Sequence, residues 1–528
     1  MMTTNRSSPD VYAVFDHGKR DVSSFPIAKG TYYKVDYAPG TDISRYKNIP
    51  VPTSYMAMAS KYNFMGGYEH DSRGGLLHVA DHHVSPGKKQ WTWGNGDFGY
   101  AWDRNLTDED GPYIELMTGV FTDNQPDFSW IMPNEERTFT QYFMPYSEIG
   151  LVKNATKEAA VNLSIQPGEL TISAYATGLY SNAVIQLTDN GREIFRHTLD
   201  LSPELPFQLT LNHTVDCAET LRLSVLTEQG YELVAYQPDA VMENEIPQPA
   251  MAAKDPKDVE NNEQLFLTGQ HIEQYRHATF LATDYYEEAL RRDPADSRCN
   301  NAMGLWYYKR GQFIKAESYF RQAIQTLTQR NPNPYDGEAY YNLGLCLKMQ
   351  SRYGEAYDAF FKATWNAAWQ DASFLELARI DTRKGDYTHA LERIDRSLVR
   401  NWHGHAARHL KVALLRKLSR TTQARQLIDD TLTLDPFNMG CLYERYLIEP
   451  SAENLQAYTS LMRGHVHNYI EYALDYAQAG LFDESSAVLN QYVQSDLPAY
   501  PIVCYFLALF AYQEKRRMKW HCGCKKPR

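Results

Sequence analysis

The residues best suited to chemistry lie between positions 60 and 150, where aromatic side chains alternate with carboxylates, histidines and glycines. Sugars present apolar C–H faces and hydroxyl edges, so their sites combine flat rings with acidic and amide hydrogen-bond partners. This mixture predicts a sugar-binding site, although any single tryptophan also fits a β-sandwich core. The predicted substrate-binding residues are Trp91, Trp93, Asp97, Trp102, Arg104 and His78, with Tyr100 as a further ring.

Glu115 is the first candidate for acid–base chemistry. It lies in the run PYIELMTG between the apolar residues Ile114 and Leu116. A strand therefore turns Ile114 and Leu116 towards the core and Glu115, together with Tyr113, towards the opposite face. A carboxylate inside a strand costs desolvation free energy unless it faces a groove. The pattern predicts that Glu115 faces a groove.

The predicted catalytic group is Glu115 with Asp103 and His82. Glycoside hydrolysis needs two carboxyl groups at a set separation, and proton transfer near neutral pH suits a histidine. The sequence does not decide which carboxylate is paired with Glu115. The open alternatives are Asp97, Asp103, Asp127, Glu135 and Glu136.

The run HVADHH brings three histidines and an aspartate together. If it forms one strand, His78 and His82 share a face about 7 Å apart, with Asp81 and His83 near the other face or at the strand's end. Structural histidines, sugar contact or proton transfer, and the beginning of a metal site are the three interpretations. Two histidines at this spacing could begin a metal site but not complete one, and we predict no metal.

These candidate residues need a β scaffold, which the first half of the chain predicts. Residues 1–153 contain short runs typical of strands between Gly, Pro, Asn and Asp turns. Residues 154–238 carry longer alternating runs, with a tight hairpin at Asp189-Asn190-Gly191, and predict a small immunoglobulin-like β-sandwich. The polar, proline-containing stretch 239–262 predicts a linker.

Residues 263–512 predict stacked helix pairs. Small residues recur where two helices approach closely, with a large apolar residue at a fixed spacing, in the manner of tetratricopeptide repeats. The matching sets are Gly304, Ala316, Phe320, Ala323; Gly344, Ala356, Phe360, Ala363; Ala378, Ala390, Ile394, Ser397; and Val412, Ala424, Ile428, Thr431. Partial copies are Ala282, Tyr286, Ala289 upstream and Gly480, Ser485, Leu489 near the end. We expect a protein partner on the concave face of this array.

Composition excludes several classes of protein. The chain has 53 basic and 65 acidic residues, a net charge of −12 that disfavours nucleic-acid binding. It has no run of about 18 apolar residues, no apolar leader, and only seven scattered cysteines. These features favour a cytoplasmic protein that does not enter a membrane. No nucleotide-binding motif occurs in a supporting context, so we predict no cofactor, and His521, Cys522 and Cys524 lack the second pair of ligands that zinc needs.

A family resemblance follows from the runs FDHGKRDVSSFPIAKGTYYKVDY, NIPVPTSYM and the block HVADHH to QYFMPY. The chain resembles a bacterial family of uncharacterised proteins in which a galactose-mutarotase-like supersandwich domain precedes a β-sandwich and a tetratricopeptide array. The resemblance implies two large antiparallel sheets with a sugar site in a groove, and aldose-epimerase-like or glycoside-hydrolase activity if the domain is catalytic. Fold alone does not fix function.

The predicted fold class is therefore multidomain, β then α: a partial antiparallel β supersandwich, a small Ig-like β-sandwich and an α-helical tetratricopeptide solenoid. The predicted function is a carbohydrate-directed protein coupled to a protein-interaction array; the alternative is a non-catalytic scaffold. About 150 residues precede the second β domain, fewer than the roughly 250 of large β domains, and a solitary apolar helix precedes a basic tail at 513–528. We expect from this that the chain is truncated, self-associates and lacks enzymatic activity.

Overall fold

The computed structural model describes residues 2–4, 11–15, 20–21, 27–28, 30–32, 34–58, 62–107, 113–121, 131, 137–239, 252–275, 279–495 and 497–523. The chain divides into two compact units. The first contains the β-strands and one helix, and the second contains a helical array, so the β-then-α organisation is confirmed. Among the described residues, no helix is long and apolar enough to cross a membrane.

The first part of the β unit consists of two antiparallel sheets of five and four strands, with two short two-stranded sheets. The strand order is β1-β12-β11-β8-β3 in the five-stranded sheet and β13-β10-β9-β2 in the four-stranded sheet. The bounds are β1 Met2–Thr4, β2 Val11–Phe15, β3 Arg20–Asp21, β4 Ile27–Ala28, β5 Thr31–Tyr32, β6 Val35–Asp36, β7 Thr41–Asp42, β8 Thr53–Met58, β9 Phe64–Glu69, β10 Gly74–Val79, β11 Gly87–Thr92, β12 Ile114–Gly119 and β13 Tyr142–Ser147.

A shared core joins these two sheets. Ile114 and Leu116 of β12 are buried against Met65 of β9, with Tyr46 and Tyr55 in the same cluster. The predicted alternation around Glu115 is confirmed, because its two apolar neighbours lie in this core. The other face of the four-stranded sheet is also buried.

The second part of the β unit is a small antiparallel sandwich. Its sheets have the orders β14-β15-β16-β19 and β18-β17-β20-β21 and enclose one apolar core. The predicted hairpin is confirmed: Asn190 and Gly191 join β17 to β18 with φ of 49° and 76°, as a two-residue turn requires. The bounds are β14 Asn154–Ala155, β15 Ala159–Gln166, β16 Glu169–Ala176, β17 Tyr180–Asp189, β18 Arg192–Leu201, β19 Phe207–Asn212, β20 Leu221–Leu226 and β21 Glu232–Tyr236.

The helical unit consists of stacked antiparallel pairs followed by one long helix. The paired helices are α2 Asn262–Tyr275 with α3 Ala282–Arg292, α4 Ser297–Tyr308 with α5 Phe313–Thr328, α6 Glu338–Met349 with α7 Tyr353–Ala363, α8 Gln370–Lys384 with α9 Tyr387–Arg400, α10 His405–Lys417 with α11 Thr421–Leu434, α12 Met439–Ile448 with α13 Ala452–Met462, and α14 Val466–Gln478 with α15 Phe482–Val493. Helix α16 spans Pro501–Gly523.

The predicted repeat packing is confirmed at the close approaches between paired helices. A Cβ atom on Gly304 would lie 2.5 Å from the ring of Phe320, and one on Gly344 would lie 2.6 Å from the ring of Phe360. Gly269 makes the same approach to Tyr286 in the first pair, at 2.6 Å. A side chain at these glycines would separate the helices, which explains the small–large spacing.

Three local features differ from the sequence-based expectations. The pair α12–α13 carries no matching set of small residues and was not predicted. The end of the expected linker packs on the array, where Val259 is buried and its carbonyl accepts a hydrogen bond from Arg292; residues 240–251 lie outside the described residues. Helix α16 continues through the first residues of the predicted tail, to Gly523.

Candidate functional site

The aromatic candidates lie on one face of the five-stranded sheet and on a helix that follows it. Along β11, Gln90 and Thr92 are buried in the core, whereas Trp91, and Trp93 directly after the strand, are only half-buried. Because side chains alternate along a strand, both tryptophans lie on the face opposite the core. Trp91 pairs directly with Glu115 of β12. We call this face the outer face.

Helix α1, Asp97–Leu106, was not expected, because the sequence analysis predicted only strands and turns here. Phe98 and Trp102 are one helical turn apart and both contact Trp93. The Trp102 and Trp93 rings are stacked with centroids 4.4 Å apart and an interplanar angle of 7°, and Phe98 meets Trp93 edge-on at 5.8 Å. Phe98 was missed, although its spacing of four from Trp102 could have revealed the helix face.

The aromatic cluster consists of Trp91, Trp93, Phe98, Trp102 and Tyr113. Trp91 lies 4.4 Å from Trp93 and 6.5 Å from Tyr113. Phe98 is 57% exposed and Trp102 is 37% exposed. The cluster is therefore a continuous row of rings that is open to solvent at its α1 end.

Glu115 lies beside this row. Its Oε1 accepts a hydrogen bond of 2.5 Å from the Tyr113 hydroxyl. Burial, and then Glu115 itself, raise the pKa of Tyr113, so the phenol stays protonated and donates. Burial lowers the pKa of Lys89 while Glu115 partly opposes this shift, which places a cation near the carboxylate. The group offers hydrogen-bond donors and acceptors next to flat rings.

Asp103 lies on the buried side of α1, where it positions the helix. It is 6% exposed, and its Oδ1 accepts a hydrogen bond of 3.0 Å from the Tyr113 backbone N–H. Its Oδ2 lies 3.4 Å from the Tyr46 hydroxyl, which also donates to the Gly94 carbonyl. Burial raises the pKa of Asp103, and the hydrogen bond from Tyr113 opposes the rise. These contacts join α1 to the start of β12.

The other two predicted residues of α1 lie on its surface. Asp97 is the first residue of the helix, where a carboxylate interacts favourably with the helix dipole, and Arg104 lies in the last turn. Both are exposed. They flank the aromatic cluster rather than completing it.

The histidines do not join this site. The strand β10 ends at Val79, and residues 81–84 form a turn, so the expectation that His78 and His82 share one strand face is wrong. His78 is buried on the four-stranded sheet beside Phe143, away from the outer face. His82 is held by Asn63, whose Oδ1 accepts from the His82 backbone N–H at 2.9 Å. Sequence reasoning failed here because Asp81 begins a turn.

The turn does bring Asp81, His82 and His83 together, with candidate ligand atoms within 4.8 Å of one another. The Asp81 Oδ1 accepts hydrogen bonds from the backbone and ring of His83, both at 2.9 Å. These bonds are the ordinary way in which an aspartate stabilises a turn.

Among the carboxylates left open as partners of Glu115, Asp127, Glu135 and Glu136 lie outside the described residues, as does Trp130.

We expect the free energy of unfolding to decrease as the pH is lowered, because of His78. Burial, followed by the charge of Lys88, lowers the pKa of His78 to about 4. Between about pH 6.5 and about pH 4, this histidine is protonated in the unfolded chain but not in the folded chain. The free energy of unfolding therefore falls by on the order of 2–3 kcal/mol as the pH is lowered through this range. Denaturant unfolding of the β unit, followed by tryptophan fluorescence, should show this slope. His78→Phe should flatten it, and an unchanged slope in that variant would contradict the assignment.

We expect Gly99→Ala to disrupt the aromatic cluster. A Cβ on Gly99 would lie 1.7 Å from the Gly94 carbonyl oxygen, so α1 must shift, at a cost of about 1–3 kcal/mol. The near-ultraviolet circular dichroism of the tryptophans should change. Gly354→Ala is the control, since nothing lies within 4 Å of its Cβ. Unchanged spectra and stability in Gly99→Ala would show that the packing of α1 is looser than described.

In the helical array, polar side chains link the first helices of successive pairs. Asn301 of α4 donates to Glu338 of α6 at 2.9 Å and accepts from Asn342 at 3.0 Å. Lys348 of α6 forms an ion pair with Glu376 of α8. Burial alone would raise the pKa of Glu376, but Lys348 and Arg379 lower it to about 2. These contacts fix the register between neighbouring repeats.

Three known families match successive parts of the chain. Residues 9–147 match a family described as a domain of unknown function, DUF5107. Residues 154–236 match the second domain of YphG-like proteins. Residues 296–364 match a tetratricopeptide repeat family. The last match covers α4 to α7.

Several solved structures are similar to part of this chain. PilF of Pseudomonas aeruginosa is 21% identical, with a TM-score of 0.33. The matched region covers 41% of this chain and 90% of the PilF chain. YrrB, described as a TPR protein with an unusual peptide-binding site, is 17% identical with a TM-score of 0.28, covering 37% and 95%. A tetratricopeptide repeat protein of Parabacteroides merdae is 11% identical with a TM-score of 0.34, covering 47% and 98%.

Proposed function

We propose that the outer face of the β unit binds carbohydrate. The observation that carries this proposal is the row of rings ending in exposed Trp102 and Phe98, with the Tyr113–Glu115 hydrogen bond beside it. A sugar ring stacks its C–H face on an indole, and its hydroxyls hydrogen-bond to a carboxylate and a phenol. The family resemblance inferred from the sequence implies the same class of ligand.

The proposal is for binding rather than for catalysis. A glycosidase needs a second carboxyl group facing the scissile bond. Of the carboxylates left open that the structure describes, Asp97 is exposed at the start of α1, and the two oxygens of Asp103 face the Tyr113 backbone and the Tyr46 hydroxyl. In this proposal Glu115 binds hydroxyls, Trp102 stacks on the sugar and Asp103 positions α1.

A glycan array probed with the full chain tests this proposal. We expect specific retention on one class of glycan and its loss in Trp102→Ala. Trp365→Ala is the matched control, because Trp365 is 64% exposed but lies in the helical unit. The proposal fails if no glycan is retained by the wild type, or if both variants bind as the wild type does.

The helical array supports a second function, protein binding, which tetratricopeptide repeats commonly provide. We propose that α4, α6 and α8, the first helices of three successive pairs, contact a protein partner. Leu305 and Leu345 follow the small residue of two successive repeats and stay half-buried. Solenoids of this kind use the concave surface along successive repeats for binding.

Affinity purification with the full chain as bait, followed by reconstitution with each purified candidate, tests this second function. We expect a partner whose binding is lost in Leu305→Glu with Leu345→Glu and kept in Ile314→Glu, since Ile314 is 81% exposed on the second helix α5. Circular dichroism checks that each variant folds. Equal binding by all variants would place the partner elsewhere.

A further inference from the structure

A polar cavity of about 210 Å³ lies in the second half of the helical array, between α10, the start of α12 and α14. The lining residues are His405, His409, Asn438, Glu471, Tyr472 and Asp475. This lining contains two carboxylates and no lysine or arginine.

The side chains around the cavity include two carboxylates, which only accept, and the Tyr472 hydroxyl accepts a hydrogen bond of 3.1 Å from the Met439 N–H. His409 Nδ1 lies 3.5 Å from Asp475 Oδ2, and because a carboxylate only accepts, Nδ1 is the donor in this contact. His409 is 3% exposed, and its Nε2 has no hydrogen-bond partner among the described residues. The Asn438 amide donates one N–H to His405, and its oxygen accepts from the Cys441 N–H.

The Asp475 carboxylate keeps its negative charge at neutral pH. Burial alone would raise the pKa of Asp475, but the hydrogen bond and charge of His409, and then Arg379, lower it. Arg379 lies 3.8 Å from Asp475 but is 2.8 Å from Glu376, which holds it more closely. Glu471 is exposed. A guest therefore meets one exposed and one partly buried carboxylate.

We infer that this cavity receives the cationic end of a lysine or arginine side chain from a protein partner. Ammonium and guanidinium groups supply several N–H donors and a positive charge, which match the lining, and charge-assisted hydrogen bonds are roughly twice as strong as neutral ones. This inference rests on the proposed protein-binding role of the array and names the chemistry that the partner presents.

Selection of a random heptapeptide library displayed on phage, with the full chain as the target, tests the inference. We expect enriched peptides with lysine or arginine at one fixed position. Synthetic copies should bind about tenfold more weakly to Glu471→Gln and to Asp475→Asn, since one charge-assisted hydrogen bond is worth about a factor of ten. Glu453→Gln is the control, because Glu453 is exposed on α13 and does not line the cavity.

Three outcomes would overturn the inference. Enriched peptides without a basic residue would leave the protein-binding proposal standing but refute the cationic guest. No enrichment at all would count against both. Saturable binding of spermidine, with no enriched peptide, would assign the cavity to a free amine instead. Since Glu471 is exposed, Glu471→Gln keeps the test valid even if Asp475→Asn fails to fold.

Discussion

Replacing Arg416 with methionine is expected to destabilise the helical unit by about 3–5 kcal/mol, because it leaves a buried carboxylate without its cation. Arg416 of α10 contacts Glu444 of α12 through two hydrogen bonds of 2.6 and 3.0 Å, and its guanidinium also reaches Glu484 of α15 at 3.1 Å. The Glu444 side chain is fully buried, and the Tyr476 hydroxyl donates to it at 2.6 Å.

Denaturant unfolding followed by helical circular dichroism measures this effect. Arg416→Met with Glu444→Gln should recover part of the loss, because the second change removes the buried charge. The control is Arg425→Met, which breaks an exposed ion pair with Glu449 and should cost under about 1 kcal/mol. If Arg416→Met costs no more than Arg425→Met, the buried network does not stabilise this end of the array.

Phe360→Ala should cost about 3–5 kcal/mol in the same measurement. The ring is fully buried between α6 and α7, in contact with the position of Gly344 and with Tyr341 at a centroid distance of 5.6 Å. Its removal leaves a cavity that the facing glycine cannot fill. The control is Tyr335→Ala, since Tyr335 is 97% exposed and should change stability by less than about 0.5 kcal/mol. Equal stability of the two variants would refute the predicted repeat packing.

The helical array could be predicted from sequence because its spacing reports local geometry. Gly304 and Phe320, like Gly344 and Phe360, lie in one repeat, so a short window of sequence contains both partners of each contact. The pair α12–α13 could not be found in this way. Gly440 approaches Tyr472 of a later helix instead, with a Cβ-to-ring distance of 2.7 Å, and the partner lies outside the repeat window.

The candidate site could be predicted only in part. The alternation around Glu115 predicted which side chain lies outside the core, because side chains alternate between the two faces of a strand. The helix α1 could not be predicted, because its glycine and aromatic residues are typical of turns and strands. Asp103 looked catalytic, but its partner Tyr46 is 57 residues away along the chain. Histidines in HVADHH were misplaced because a turn begins two residues after β10 ends.

The dissociation constant for glycans, measured by titration calorimetry, tests the central claim that Trp102 provides a sugar platform. The glycan that retains the protein on the array should also bind it in solution. Trp102→Phe should keep most of the affinity because a ring remains, whereas Trp102→Ala should lose about tenfold or more, as expected for removal of a stacking contact. Equal dissociation constants for the wild type, Trp102→Phe and Trp102→Ala would contradict the account.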